Sequence, residues 1–477
     1  MNLKNNLLPH QTAAVQKLIK LKVGALFMEQ GTGKTITTLE IARIRLEKEK
    51  INHIIWLCPC SVKSNLKREI VKQCPDEMLD KLTICGIETL STSIRAISYL
   101  TKVCIQNKVF LVVDESLLIK NPRAYRTEHI RRIGDLCSYR IILNGTPVSR
   151  NEADLYSQFY LLDWRILGYK SYWSFAANHL EYDDYGKIRR VLNKDYLTDK
   201  IAPYSVQISK SECIILPEKR ENTIYFNFDR AQRRHYEIVR DEFLSFEALY
   251  EYDTAVIYRT LNALQQVASG QRITSAANKP MQHKSFFDKP VDNPRIQCLL
   301  SALDKIGEEK CIIWCTFTHE IDDVQRVLKE KGLKAALLYG DLPQRKRQES
   351  LRRFEEDAQF LIANKTCAGF GLNLQFCHNA IYYSNDWNWA TRVQSEDRMH
   401  RIGQENETHI WNICANCTID ERILRCLRNK ENMVDAFKRH LSRKNFAAWL
   451  DGKEIELDDT DRIERKAETG GNKKICS

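Results

Sequence analysis

Short apolar runs recur along this chain, each followed by a longer polar or amphipathic stretch. That rhythm limits the fold more than any other feature. In the first half the runs are Gly24-Ala25-Leu26-Phe27-Met28, Ile54-Ile55-Trp56-Leu57, Val109-Phe110-Leu111-Val112-Val113 and Ile141-Ile142-Leu143. Continuous apolar runs of this length read as strands buried on both faces, and the stretches between them as covering helices. The rhythm stops near Arg150 and resumes with Cys311-Ile312-Ile313-Trp314, Ala335-Ala336-Leu337-Leu338-Tyr339, Phe360-Leu361-Ile362-Ala363, Ala380-Ile381-Tyr382-Tyr383 and Ile410-Trp411-Asn412-Ile413. An α/β fold follows, with two parallel-sheet lobes and a mainly helical insertion and linker between them. The expected boundaries are 1–165 for the first lobe, 166–290 for the linker, 291–448 for the second lobe and 449–477 for a charged tail.

Tyr156, Phe159, Tyr160, Trp164, Tyr172, Trp173 and Phe175 crowd the region where the rhythm is lost. Such aromatics can stack on bases, but helical core is their commoner use and the expectation here. The sixteen cysteines read as reduced thiols, and Cys58, Cys60, Cys311, Cys315 and Cys414, in or beside apolar runs, as core. Cys414-Ala-Asn-Cys417 lacks a second pair at zinc-finger spacing, so no structural zinc is expected. No apolar stretch approaches the length needed to span a bilayer, and Met1–Pro9 has no signal-like apolar core. An intracellular, soluble chain with no membrane partner is expected. The formal charge of +11, from 73 basic and 62 acidic side chains, suits a polyanion such as nucleic acid.

Each first-half run leads into a chemically equipped segment, as expected where ligands bind at the carboxyl ends of parallel strands. The first meets Glu29-Gln30-Gly31-Thr32-Gly33-Lys34-Thr35, and Ile36, Leu39, Ala42 and Leu46 follow at helical spacing. Glycines let the backbone curl so that N–H groups cradle phosphates, and the helix turns its positive end to the same anion. Gly31, Thr32 and Gly33 form the cradle. Lys34 can reach β- and γ-phosphates, and the Thr35 hydroxyl can hold Mg²⁺. The run Val109–Val113 delivers Asp114-Glu115 to the same edge. There Asp114 can hold Mg²⁺ and Glu115 can polarise an attacking water. ATP and Mg²⁺ are the expected ligands.

Asp114-Glu115-Ser116-Leu117-Leu118-Ile119-Lys120-Asn121 resembles the DEAH-plus-Lys-Asn motif of the Swi/Snf-type helicase-like ATPases of superfamily two, with Ser116-Leu117 in place of Ala-His. Asn144-Gly145-Thr146-Pro147 resembles their third motif, and Leu8-Pro9-His10-Gln11 their adenine-reading segment, in which the Gln11 amide would bond adenine. Thr366–Leu374 resembles the fifth motif, one residue short. Gln394-Ser395-Glu396-Asp397-Arg398-Met399-His400-Arg401-Ile402-Gly403-Gln404 closely resembles the sixth. Tyr339-Gly340-Asp341 with Arg345, Arg347 and Phe354, the segment Asn385–Trp389, Leu216-Pro217-Glu218-Lys219 and Thr418-Ile419-Asp420-Glu421 match further family segments. The paired arginines that often precede the Leu-Pro segment are replaced by Gln207-Ile208-Ser209-Lys210.

The resemblance runs from about Leu7 to Lys430. It implies two RecA-like lobes with ATP between them, Arg398 and Arg401 reaching the phosphates, and double-stranded or branched DNA as the track. The basic segment Arg345-Lys346-Arg347 to Arg352-Arg353 suits contacts to phosphate. Two other readings use the same residues: a strand-separating DNA or RNA helicase, and a nucleotide-gated scaffold that binds DNA with little turnover.

Overall fold

Each half of the chain builds a six-stranded parallel sheet. The computed structural model describes residues 3–145, 148, 152–182, 188–213, 216–245, 254–274, 282–340, 342–364, 372–430, 433, 436–437 and 446–453. It divides into two compact units. The first holds the described residues of 1–216 together with 372–375 and Asp397–Glu405, and the second holds the remainder.

In the first unit the strands are β1 (Val23–Met28), β2 (His53–Cys58), β3 (Leu82–Gly86), β4 (Val109–Asp114), β5 (Tyr139–Asn144), the short antiparallel pair β6 (Leu180–Tyr182) and β7 (Ile188–Val191), and β8 (Ser205–Ile208). The sheet order is β3-β2-β4-β5-β1-β8, with every pairing parallel. Side chains alternate across a strand, so each apolar run feeds two cores. Ala25, Phe27, Ile55, Leu57, Leu111 and Val113 enter one, while Leu26, Met28, Ile54, Trp56, Phe110 and Val112 enter the other.

The second unit contains β9 (Lys219–Phe226), the antiparallel pair β10 (Gln271–Thr274) and β11 (Gln282–Ser285), β12 (Cys311–Cys315), β13 (Ala335–Leu338), β14 (Phe360–Asn364), β15 (Asn379–Tyr382) and β16 (Thr408–Ala415). Its sheet runs β13-β14-β12-β15-β16-β9, again parallel throughout. The region expected as a helical linker therefore supplies an edge strand to each sheet, β8 to the first and β9 to the second. The helices Tyr172–His179, Lys194–Ile201, Arg230–Leu244 and Thr254–Ala268 also fall within it.

The aromatic group divides in use. Tyr156, Phe159 and Phe175 are buried in the core that contains Phe27, and Tyr160 and Tyr172 pack against it. Trp173 is 64% exposed, with the Arg123 guanidinium 5.0 Å from its ring centre. Cys58, Cys311, Cys315 and Cys414 are buried as expected, but Cys60 is exposed. The chain leaves the sheet after Cys58, and the Cys60 amide donates to the Glu88 carboxylate at 2.8 Å. Among the described residues no helix is long and apolar enough to cross a membrane.

Arg295, with none of its surface exposed, joins four elements of the second unit. It stands in the helix Pro294–Ile306 and pairs with Asp420 of the helix Ile419–Arg428. Its Nη1 donates to the Tyr383 carbonyl beyond β15 at 2.6 Å. Its Nε donates to Ala268 at 3.3 Å. Asp420 also accepts the Ala415 amide at 3.1 Å. Arg295→Leu would strand the Asp420 carboxylate in the core, and a buried pair broken on one side costs about 3–5 kcal/mol. Urea unfolding of the variant should show a loss of that size; a loss below about 1 kcal/mol would mean that Arg295 does not join these elements energetically.

Candidate active site

The chain turns sharply where β1 ends. Gly31 and Gly33 adopt φ of 83° and 95°, in the left-handed region that glycine enters at little cost. Between them the Thr32 amide and hydroxyl both donate to the Glu29 carbonyl, at 3.3 and 2.7 Å. A Cβ at Gly33 would stand 2.2 Å from Gln11 Nε2, so the loop fits closely against the helix Pro9–Leu18. Gln11 is buried. Its Oε1 accepts the Leu8 amide at 3.0 Å and its Nε2 donates to the Thr32 carbonyl at 3.0 Å. An amide side chain offers two N–H groups and two lone pairs, so these bonds leave capacity for one more partner of each kind. The sequence-expected adenine contact would have to use that remainder.

Lys34 and Thr35 open the helix Lys34–Glu47. The Lys34 ammonium curls back and donates to the Met28 carbonyl at 2.6 Å. Burial pulls it below the usual lysine range, while the Glu115 and then the Asp114 carboxylates pull it upward. Both carboxylates belong to β4 and its exit. Glu115 has φ 53° and ψ 55°, a left-handed conformation that costs a residue with a side chain on the order of 1 kcal/mol. Its carbonyl accepts the Leu118 amide at 2.9 Å and its amide donates to Asp114 Oδ1 at 3.0 Å, which holds the turn. Asn144 ends β5, which lies between β4 and β1 in the sheet, and its buried Nδ2 has no partner among the described residues.

Ser116 replaces the alanine of the family motif, and its hydroxyl donates to Gln158 Oε1 at 2.6 Å. Gln158 Nε2 in turn donates to the Asp154 carbonyl at 2.8 Å, and the Asp154 carboxylate lies 3.5 Å from Lys120. The carboxylate turn is thus tied through a buried polar pair to the helix Leu155–Asp163. Sequence reasoning noted the Ser116 substitution but had no means of pairing it with Gln158.

The segment that resembles the sixth motif supplies the two arginines Arg398 and Arg401. They lie far along the chain, yet Asp397–Glu405 is part of the first unit. A Cβ at Gly31 would meet Arg401 Cβ at 2.9 Å and Lys210 Cε at 3.7 Å. Arg398 is buried; its carbonyl accepts the Leu374 amide at 3.0 Å. Burial first, and Arg401 second, push its guanidinium down to about 10, while Glu115 draws it back up. Burial also lowers Arg401, whose buried Nε has no partner among the described residues. Lys34, Glu115, Asp114, Arg398 and Arg401 are therefore gathered in one unit. Lys210, in the segment that stands in place of the family's paired arginines, lies beside Gly31 and Arg401.

These residues fit a nucleotide with its metal. The orphaned Arg401 Nε and the desolvated Arg398 call for an anion, and two adjoining carboxylates call for a cation. Mg²⁺ commonly takes one or two carboxylates and completes its shell with phosphate and water, a role open to Asp114 and Thr35. The third-motif residues Thr146 and Pro147, the fifth-motif residues 365–371, Asp341 and the tail residues 454–477 lie outside the described residues. In the basic helix Gln344–Glu356, Arg345, Lys346, Arg352 and Arg353 are exposed, whereas Arg347 donates to the Gly340 carbonyl.

Burial, and next the Glu115 carboxylate, push the Asp114 carboxyl from 3.8 up to about 7. An acid raised on folding destabilises the fold as pH rises: the cost is absent below the unfolded value and complete above the folded one. Asp114→Asn should therefore raise the melting temperature of the nucleotide-free protein by roughly a few degrees at pH 8, and by less at pH 5. Calorimetry at the two pH values checks this; equal shifts at both would show that the Asp114 charge carries no such cost.

Residues 10–290 match the model of the SNF2-related domain, and residues 294–403 match that of the helicase conserved C-terminal domain. An uncharacterized ATP-dependent helicase of Mycoplasma pneumoniae is 24% identical over 463 residues, covering 91% of this chain and 42% of the relative. The putative ATP-dependent helicase/translocase YwqA of Bacillus subtilis is 26% identical over 489 residues, covering 95% and 50%. The chain thus spans half or less of the length of these relatives. The SWI2/SNF2 ATPase core of Sulfolobus solfataricus, solved in complex with dsDNA, is 24% identical, with a TM-score of 0.41 over 96% of this chain and 98% of that one. The domain model covers more than half of the sequence, and the chain belongs to the SNF2-related family of helicase-like ATPases.

Proposed function

We propose that this chain is a DNA-stimulated ATPase motor that moves along or remodels duplex or branched DNA. The observation that carries the proposal is the gathering of Lys34, Asp114, Glu115, Arg398 and Arg401 in one unit. Lys34 and the amides of the Gly31–Gly33 turn would hold the β- and γ-phosphates. Thr35 and Asp114 would hold Mg²⁺, which when bound offsets phosphate charge. Glu115 would accept a hydrogen bond from the attacking water and orient it. Arg398 and Arg401 would stabilise the charge that develops as the terminal phosphoryl group leaves. Gln11 would read the base with its remaining donor and acceptor. The names of the relatives, ATP-dependent helicase and helicase/translocase, agree with this reading.

Two kinds of experiment test it. Glu115→Gln should retain nucleotide binding and lose turnover by roughly 10²-fold or more, because its contact is made in the transition state. Arg398→Ala and Arg401→Ala should lower turnover more than affinity. Turnover in Glu115→Gln near that of the parent would remove Glu115 from this role.

The track is tested separately. The exposed arginines and lysine of the helix Gln344–Glu356 suit phosphate contacts, which ignore sequence and weaken steeply with salt. ATPase stimulation should thus be similar for unrelated duplexes and fall as salt rises. In side-by-side displacement assays, the protein should release the third strand of a DNA triplex and leave a plain duplex paired. Efficient unwinding of the plain duplex would instead assign strand separation.

A further inference from the structure

Lys210 stands where three parts of the first unit meet. Its position follows β8, which pairs with β1 so that Ile208 lies opposite Met28. The chain then binds the entry to the phosphate loop twice. The Glu29 amide donates to the Ile208 carbonyl at 3.0 Å, and the Lys210 amide donates to Glu29 Oε2 at 2.9 Å. Its stem passes Gly31 beside Arg401. Its ammonium forms an ion pair with Asp397 and donates to the His400 carbonyl at 2.9 Å. Both groups of the pair are largely shielded, with side-chain exposures of 14% and 16%.

The two acceptors are the residues immediately before Arg398 and Arg401. One ammonium therefore holds the side chain of the residue just ahead of Arg398 and the backbone carbonyl just ahead of Arg401. The ion pair also engages a carboxylate that interacts electrostatically with both Arg398 and Arg401. With Asp397 engaged by Lys210, less of its negative charge is left to offset the two arginines. A shielded charge pair of this kind is more sensitive to geometry than a surface pair.

We propose that Lys210 is a positioning residue for phosphoryl transfer: it fixes Arg398 and Arg401 against the phosphate loop through Asp397 and the His400 carbonyl. The inference rests on the ATPase reading given above. It separates two quantities, because the phosphate-binding groups Lys34 and the loop amides stay in place when Lys210 is changed. Turnover should fall and nucleotide affinity should hold.

The test is steady-state ATP hydrolysis with a mixed-sequence DNA duplex, alongside titration with a fluorescent ATP analogue. Lys210→Met is expected to lower kcat by roughly tenfold or more and to change the Kd by less than about threefold. Lys210→Arg should recover most of the loss, since it keeps the charge and a donor. Asp397→Asn, close in size and shape to the parent residue, should show the same split and carries the test if Lys210→Met fails to fold. The double variant should be no worse than the poorer single variant, because both remove one contact. The proposal is overturned if kcat is unchanged in Lys210→Met, if affinity falls in proportion to kcat, or if the two losses multiply. Absence of turnover in the parent protein is a different failure: it would remove the ATPase reading, and this inference with it.

Discussion

No side chain can stand at position 31 without displacing Arg401, because an added Cβ would lie 2.9 Å from Arg401 Cβ. That close approach governs the rest of the site. The loop must turn through left-handed φ at Gly31 and Gly33, and it must also accept the arginine-bearing segment on one side and Gln11 on the other. Glycine meets the conformational demand and the steric one together. Once the segment Asp397–Glu405 is seated, Arg398 interacts with Lys34 and Glu115, and Arg401 stands beside Gly31. The site is then one cluster of charges rather than two half-sites.

The electrostatic character of this cluster differs from that of the second unit's interior. Arg295 is buried completely, yet its guanidinium meets Asp420 and two carbonyl groups. Arg392 is equally enclosed and is met by Glu396 at 2.6 Å, Asn385 at 2.6 Å and Asn412 at 2.8 Å. In the site, burial is the leading influence on the charges. Burial depresses Lys34, Arg398 and Arg401 and raises Asp114, and the Arg401 Nε has no partner among the described residues. Shifts of this kind gather where a ligand is to supply the missing charge. An anion beside the arginines and a cation beside the carboxylates would relieve both sets together.

The central strands of both sheets were legible in the sequence because they are buried on both faces and read as unbroken apolar runs. The edges were not. β3 carries Thr83, β8 alternates Val206 and Ile208 with Ser205 and Gln207, and β9 begins with four polar residues, Lys219 to Asn222. An edge strand needs fewer apolar positions, so its sequence resembles that of a helix or loop. Motif spacing singled out Lys34, Thr35, Asp114, Glu115 and the two arginines as candidates, since each sits at a strand end or in a long matching string. It could not disclose Lys210, Gln158 or the Gln11–Thr32 bond. Those contacts join positions 21 to 190 residues apart through single side chains, and no local pattern announces them.

The proposed motor hydrolyses ATP at these residues in response to DNA. The most direct measurement is phosphate release by the unaltered protein with Mg²⁺ and ATP, alone and with duplex DNA, duplex RNA or neither. Release should be slow without nucleic acid and should rise markedly with duplex DNA whatever its sequence. Turnover that no nucleic acid changes, or that RNA stimulates and DNA does not, would contradict it.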